Sequence, residues 1–277
     1  MQVFKWFVLK EKCIYSALNK LEPRGTFLRG EFWVPKKYEE KLVQSIEAIR
    51  TDTNVERPSI TPWKKHSDLQ EPSLFEDNEF TWAFSEIVNT YGIPNYKEVN
   101  PAVFACVTFP FLFGFMFGDI MHGLMLTCGG LVCIINAERW RNTSLHGFVM
   151  ARYLLLLMGL FATFAGFCYN DFTSMPWRIF GESCYEIVDN EGEQKEDCVY
   201  PIGVDPVWYM SGNELTYMNS LKMKMSVIFG VAQMSMGVIV KAMNAVYFNR
   251  KLEFFFEFIP QILLLLALFG FMDLLII

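Results

Sequence analysis

The sequence predicts a mainly α-helical, multi-span membrane bundle of about five transmembrane helices, with a small α/β soluble lobe at its N-terminal end. Three observations carry that expectation. Residues Asn100–Glu138 form an apolar run interrupted only by Asp119 and His122. Three further stretches, 153–170, 225–248 and 258–277, carry at most one charge each. Apolar residues make up 52% of the chain and 27 residues are phenylalanine, which suits spans joined to soluble parts rather than one soluble domain.

The long run comes first because the other elements are placed around it. A hydrocarbon core of about 30 Å needs roughly 20 apolar residues per helix, so 100–138 is long enough for two crossings, near 100–118 and 120–137. One long buried helix is the alternative. Gly118-Asp119 argues against it, because glycine and aspartate both disfavour helix interiors, and the fold-back falls at Phe117–Gly123.

Residues 1–50 have the pattern of a small α/β lobe, the membrane-proximal end of a larger arm. Glu11–Leu21 has helical character and ends at Pro23 and Gly25. Thr26–Val34 has strand character, and Pro35 opens a second helix where its missing N–H costs nothing. Tyr38, Leu42, Ile46 and Ile49 share one face of that helix. Fifty residues bury too little surface to stand alone, so this lobe is expected to complete itself on other protein. Met1–Leu9 is short and apolar, but Lys10, Glu11 and Lys12 follow where a signal peptide would be cleaved.

Residues 51–79, with Pro58, Pro62 and Pro72 among polar residues, read as a linker. Across 80–98, Phe80, Phe84, Ile87, Val88 and Tyr91 form an amphipathic stripe closed by Gly92 and Pro94. The absence of a basic polar face favours packing on protein over lying on a bilayer. The remainder, 99–277, is the transmembrane domain. In 153–170, Ala162 and Gly166 stand four apart, the small-residue spacing that lets helices approach closely in lipid. A polar loop is expected over 171–224, then spans at 225–248, with Lys241 near one end, and at 258–277, with Pro260 and Asp273.

Charge orients the spans. Arg139, Arg141 and Arg152 lie together in one short loop, and Arg250 and Lys251 in another, whereas 171–224 holds four basic and ten acidic residues. The positive-inside tendency puts the short loops and the N-terminus in the cytosol and the acidic loop in the lumen or exterior. Asn142-Thr143-Ser144 then lies on the cytosolic side, where glycosylation does not occur. Cys184 and Cys198 are the only cysteines outside, where a disulfide is permitted, and we expect them to bridge. Cys13, Cys106, Cys128, Cys133 and Cys168 read as small buried apolar residues.

Chemistry is sparse. Asp119 and His122 stand three apart on one helical face, but a metal needs a third ligand, and His66 and His146 lie in polar segments. No metal or cofactor is assigned. Asp119, His122 and Asp273 are candidates for proton access or for a polar turn, since ionisable groups in spans are functional candidates. No phosphate-cradling glycine loop, hydrolase elbow or zinc motif occurs, so the chain by itself is not expected to be an enzyme. Three arginines beside a membrane are too few for nucleic-acid binding.

Several segments in order resemble subunit a of the vacuolar-type proton-pumping ATPases: FTWAFSEIVNTYGIPNYKEVNPAVF, TFPFLFGFMFGDIMHG, RYLLLLMGLFATFAGFCYNDF, GVDPVW, NSLKMKMSVIFGVAQMSMGV and FIPQILLLLALFG. LKEKCIYSALNKL and GEFWVPKKYEEKL resemble the membrane-proximal end of that family's cytosolic arm, so the likeness runs nearly end to end. The archaeal and bacterial subunit I is a cousin, but the acidic loop and the KMKMSV block look eukaryotic. The resemblance implies a stator. Its arm ties to peripheral stalk subunits, its membrane half faces a ring of proteolipid c subunits, and an arginine on tilted C-terminal helices separates two proton half-channels. Here the pattern departs: none of the five spans contains an arginine, and Met121 stands where the family commonly has glycine. The chain therefore reads as a portion of a longer subunit, or one product of a split gene, working with the remaining parts of subunit a and membrane lipids in an acidic organelle such as a vacuole, lysosome or endosome. A free-standing ion channel using Asp119, His122 and Asp273, or a non-conducting assembly scaffold, are the competing readings.

Overall fold

A computed structural model describes residues 2–53, 60–61, 70–173, 175–178, 180–188, 191–195 and 198–276. The chain forms a mainly helical fold in two units, residues 1–74 and 75–277. Most of the expected linker, including Pro58 and Pro62, lies outside the described residues.

The first unit opens with α1 (Gln2–Leu18), which starts nine residues before the expected helix because the apolar stretch before Lys10 joins it. The expected strand is instead a short hairpin, β1 (Glu22–Arg24) with β2 (Phe27–Arg29), in which Arg24 pairs with Phe27. Gly25, at φ +65°, supplies the positive value that the first residue of a two-residue turn requires. Pro35 precedes a 3-10 turn, Lys36–Tyr38, that leads into α2 (Glu39–Thr53). Phe4, Trp6 and Phe7 of α1 are exposed, as a lobe too small to bury its own apolar residues must leave them.

The second unit starts at α3 (Trp82–Asn89), whose Ala83 and Phe84 are buried. The Asn100 carboxamide then accepts from Ala102 N–H at 3.0 Å and caps α4 (Ala102–Phe117). Gly118 and Asp119 break the run, and α5 (Ile120–Ile135) returns antiparallel. Short helices α6 (Ala137–Trp140) and α7 (His146–Met150) cross the end and lead into α8 (Arg152–Tyr169), which Asn170 terminates in the left-handed conformation at φ 53°. Short hairpins follow, including β3 (Tyr185–Val188) with β4 (Glu191–Gln194), and then a 3-10 turn over Pro206–Met210.

The 34-residue helix α9 (Glu214–Tyr247) begins eleven residues before the expected span, so Lys222 and Lys224 stand on a helix, not in a loop. At 1.5 Å per residue it is about 51 Å long and overreaches any bilayer. The last helix, Lys251–Leu275, is apolar on all sides and widens to i→i+5 bonding over Phe254–Phe258, immediately before Pro260. Pro260 has no N–H to continue the ordinary ladder.

The expectation of five long spans is corrected. Among the described residues three helices are long and apolar enough to cross a membrane: α8, α9 and the last helix. The two arms of the hairpin have 16 residues each, about 24 Å, because the polar turn shortens both. Packing centres on α8, against which α4 and α5 lie with backbones in contact. Beta carbons added at Gly123, Gly159 and Gly166 would fall 2.4–2.5 Å from the backbone nitrogens of Thr163, Thr127 and Ile120. Phe111, Phe115, Phe161 and Phe229 tie α4 to α8 and α9, with ring centroids 4.6–5.9 Å apart. The reading of all five remaining cysteines as buried is also corrected, since Cys13 and Cys128 are exposed. Cys128 lies on an apolar face of α5, where lipid or protein takes the place of water.

Candidate functional site

The polar turn between α4 and α5 gathers the ionisable groups that the sequence places there. Asp119 is in extended conformation and precedes the first turn of α5, where the free N–H groups attract a carboxylate. Its Oδ1 accepts from Met121 N–H at 2.9 Å and from Thr173 N–H at 3.2 Å, and its Oδ2 meets His122 Nδ1 at 2.5 Å. The i,i+3 spacing thus does bring Asp119 and His122 together. The Thr173 bond also stitches the turn to the segment after α8. The side chain of Asp119 is 15% exposed and that of His122 49%.

The surroundings are aromatic and hydroxylic. The Tyr169 hydroxyl donates to Phe115 C=O at 3.3 Å, and the Tyr209 hydroxyl donates to Tyr169 C=O at 3.2 Å. Lys222 pairs with Asp171 at 3.6 Å and lies over the Tyr169 ring. Burial, and then the carboxylates of Asp171, Glu214 and Asp119, push the Tyr209 hydroxyl up, so it stays a donor. Among the described residues no group of three His, Cys, Asp or Glu side chains converges as a metal site.

Burial alone would raise Asp119, but the bonds from His122, Thr173 and Met121 outweigh it and hold the carboxyl below its ordinary 3.8. A depressed acid contributes stability that is present above its unfolded value and is lost as pH falls through the folded one. We therefore expect the thermal midpoint of the purified chain to fall below pH ~4. Asp119→Asn should be less stable at neutral pH and flatter across that window. Parallel profiles for the two proteins in detergent would remove this role.

Asp273 stands apart from these groups. It lies near the far end of the last helix and its Oδ1 is buried without a hydrogen-bond partner among the described residues. Cys184 and Cys198 are joined by a disulfide, with Cα atoms 5.3 Å apart. Beside it is a residue that sequence reasoning passed over. Asp205, 4% exposed, accepts from Ser183 Oγ at 2.5 Å, Cys184 N–H at 2.9 Å and Val207 N–H at 3.0 Å. The signal was present: aspartate directly before proline, as in GVDPVW, is a helix-start pattern.

The opposite end holds two further ion pairs with no local signature. Arg152, 8% exposed, reaches Glu79 Oε2 at 2.5 Å and Val149 C=O at 3.0 Å, with its guanidinium 4.7 Å from the Tyr153 ring centre. Phe80 packs on the same Tyr153 at 5.6 Å, so α3 is docked on protein. Lys241 of α9 binds Glu257 of the last helix and lies 3.3 Å from Gln261 Oε1. Val99 N–H donates to Asn244 Oδ1 at 3.0 Å, joining the entry to α4 to the end of α9.

Comparison with known proteins places this geometry. A profile of the V-type ATPase 116kDa subunit family matches residues 1–277. The chain is 40% identical to the vacuolar proton translocating ATPase 100 kDa subunit of Dictyostelium discoideum, over 98% of the chain and 34% of that protein. It is 39% identical to V-type proton ATPase subunit a1 of Arabidopsis thaliana, with the same coverage. Against the V-type proton ATPase 116 kDa subunit a 4 of Homo sapiens it is 34% identical, over 98% of the chain and 35% of that protein. The chain thus spans about a third of the length of these relatives.

Proposed function

Because the chain belongs to the V-type ATPase 116 kDa subunit family, we propose that it is the central, membrane-embedded part of stator subunit a of a rotary proton pump. In that role it is non-catalytic, braces the proton path at the c-ring and links it to the peripheral stalks. The observation that carries the reading is the match of the family over the whole chain, lobe and bundle together.

In the proposed arrangement α4, α5, α8, α9 and the last helix all cross the bilayer. The hairpin arms, about 24 Å each, are short for a ~30 Å core, and local thinning over the Gly118-Asp119 turn accommodates them. The N-terminus, α6, α7 and the turn at 248–251 face the cytosol. The Asp119 turn and the disulfide-bearing loop face the lumen of an acidic organelle. The division into lobe 1–50, linker 51–79, amphipathic helix 80–98 and membrane domain 99–277 is part of the same proposal. So is a proton-access role for Asp119, His122 and Asp273.

The bundle braces rather than conducts. Within its five long apolar helices the single arginine is Arg152, at the first residue of α8, and it is committed to Glu79. It is not free to pair with a passing ring carboxylate. Reconstituted alone in vesicles, the chain should give proton flux no greater than empty vesicles. Isolated from its source in mild detergent, it should carry c-ring and stalk subunits with it. Inhibitor-sensitive flux from the chain alone would instead favour the free-standing channel. Purification without ring or stalk subunits would also sink the stator reading.

A further inference from the structure

A crevice of about 440 Å³ lies between the segment that follows α3 and the cytosol-proximal end of α9. That volume falls within the ~300–1,000 Å³ of sites that hold small molecules. Glu98 stands on one wall, Gly237, Lys241 and Asn244 on the other, and Arg250 and Glu253 at the turn into the last helix. Two cations and two carboxylates therefore share one cavity.

Each charged group is held in place but only lightly engaged. Glu98 accepts from Asn95 N–H at 2.8 Å, which fixes its carboxylate. Arg250 Nη1 donates to Glu253 at 3.2 Å, with both side chains about half exposed. Exposed pairs of this kind contribute little and rearrange at small cost. Asn244 spends its carbonyl oxygen on Val99 N–H, and among the described residues nothing accepts from its NH2 group. The floor is open as well. A beta carbon at Gly237, or at Gly230 two turns deeper on the same side of α9, would meet nothing within 4 Å. A charged mouth thus continues into an unfilled apolar slot along the helix.

We propose that this crevice binds one phospholipid whose zwitterionic headgroup carries a primary ammonium. Its phosphate lies on Lys241, Asn244 and Arg250, its ammonium on Glu98 and Glu253, and one acyl chain runs along Gly237 and Gly230. Balanced charge selects the headgroup. An anionic lipid would leave its net charge against two carboxylates, and a quaternary ammonium has no N–H to donate to them. A primary ammonium has three. This inference needs the bundle to lie in a bilayer but does not depend on its pump partners.

The test is native mass spectrometry of the full chain in mild detergent with equal phosphatidylethanolamine, phosphatidylcholine and phosphatidylserine of matched chains. One phosphatidylethanolamine should be retained, about tenfold over phosphatidylcholine, the ratio that one charge-assisted hydrogen bond supplies. Gly237→Leu fills the slot without touching a charge, and should cut retention about fivefold while the melting curve stays unchanged. E98Q/E253Q should shift the preference to phosphatidylserine, which keeps the proposal open to refutation even where Gly237→Leu perturbs folding. Equal retention of the three lipids by the unaltered chain, a preference for phosphatidylserine, or no shift in E98Q/E253Q would overturn it.

Discussion

Gly166→Ala should destabilise the bundle by about 3 kcal/mol, the upper end of what overpacking a well-filled core costs. The added carbon would fall 2.4 Å from Ile120 N and 2.6 Å from the Asp119 carbonyl carbon. Those are backbone atoms at the capped start of α5, so no side chain can swing aside. The helices must separate, and separation draws Asp119 away from Thr173. Gly159 stands in the same relation to Thr127 N at 2.5 Å, so Gly159→Ala should act alike. Gly129→Ala is the control. A beta carbon there meets nothing within 4 Å, and alanine is the better helix former by about 1 kcal/mol, so stability should rise slightly. Thermal unfolding in detergent checks the sign. Equal effects at 166 and 129 would mean that the α5–α8 contact does not hold the bundle together.

The second large effect runs against the usual reading of an ion pair. Arg152 is buried, whereas the side chain of Glu79 is 75% exposed. Removing the glutamate strands a buried guanidinium with one carbonyl and a ring face, so Glu79→Ala should cost about 3 kcal/mol. Replacing the arginine itself leaves only a solvated carboxylate. Arg152→Met keeps the apolar stem packing on Tyr153, so its cost should be about 1 kcal/mol or less. The double variant should then match Arg152→Met rather than the sum of the two, a non-additivity that a double-mutant cycle reads directly. Proteolysis around residues 75–100 should rise in Glu79→Ala, since α3 is docked through this pair and through Phe80 on Tyr153. Additive effects would show that the pair carries no coupling.

Much of the layout was legible along the chain. The break between α4 and α5 follows from Gly118-Asp119, the Asp119–His122 contact from an i,i+3 spacing, and the start of α2 from Pro35. Ala162 and Gly166 marked the close-approach face of α8, and the family resemblance rested on whole blocks of sequence. Boundaries were less legible. α9 begins at Glu214 because Lys222 and Lys224 are good helix formers, and the charge that ends an apolar span does not end a helix.

What the sequence by itself determined was therefore every feature set by neighbours within a turn or two: where apolar runs start, where they break, and which residue caps them. Only the tertiary structure decided which glycines meet a backbone and which face open space. It also decided that Glu79 finds Arg152 across 73 positions, that Asp205 holds the loop around Cys184, and that Glu98, Lys241 and Arg250 line one crevice. The physical reason is range. Propensity and capping act through adjacent peptide groups, whereas side-chain contact between helices depends on how each is rotated about its axis, which packing sets for the whole bundle at once.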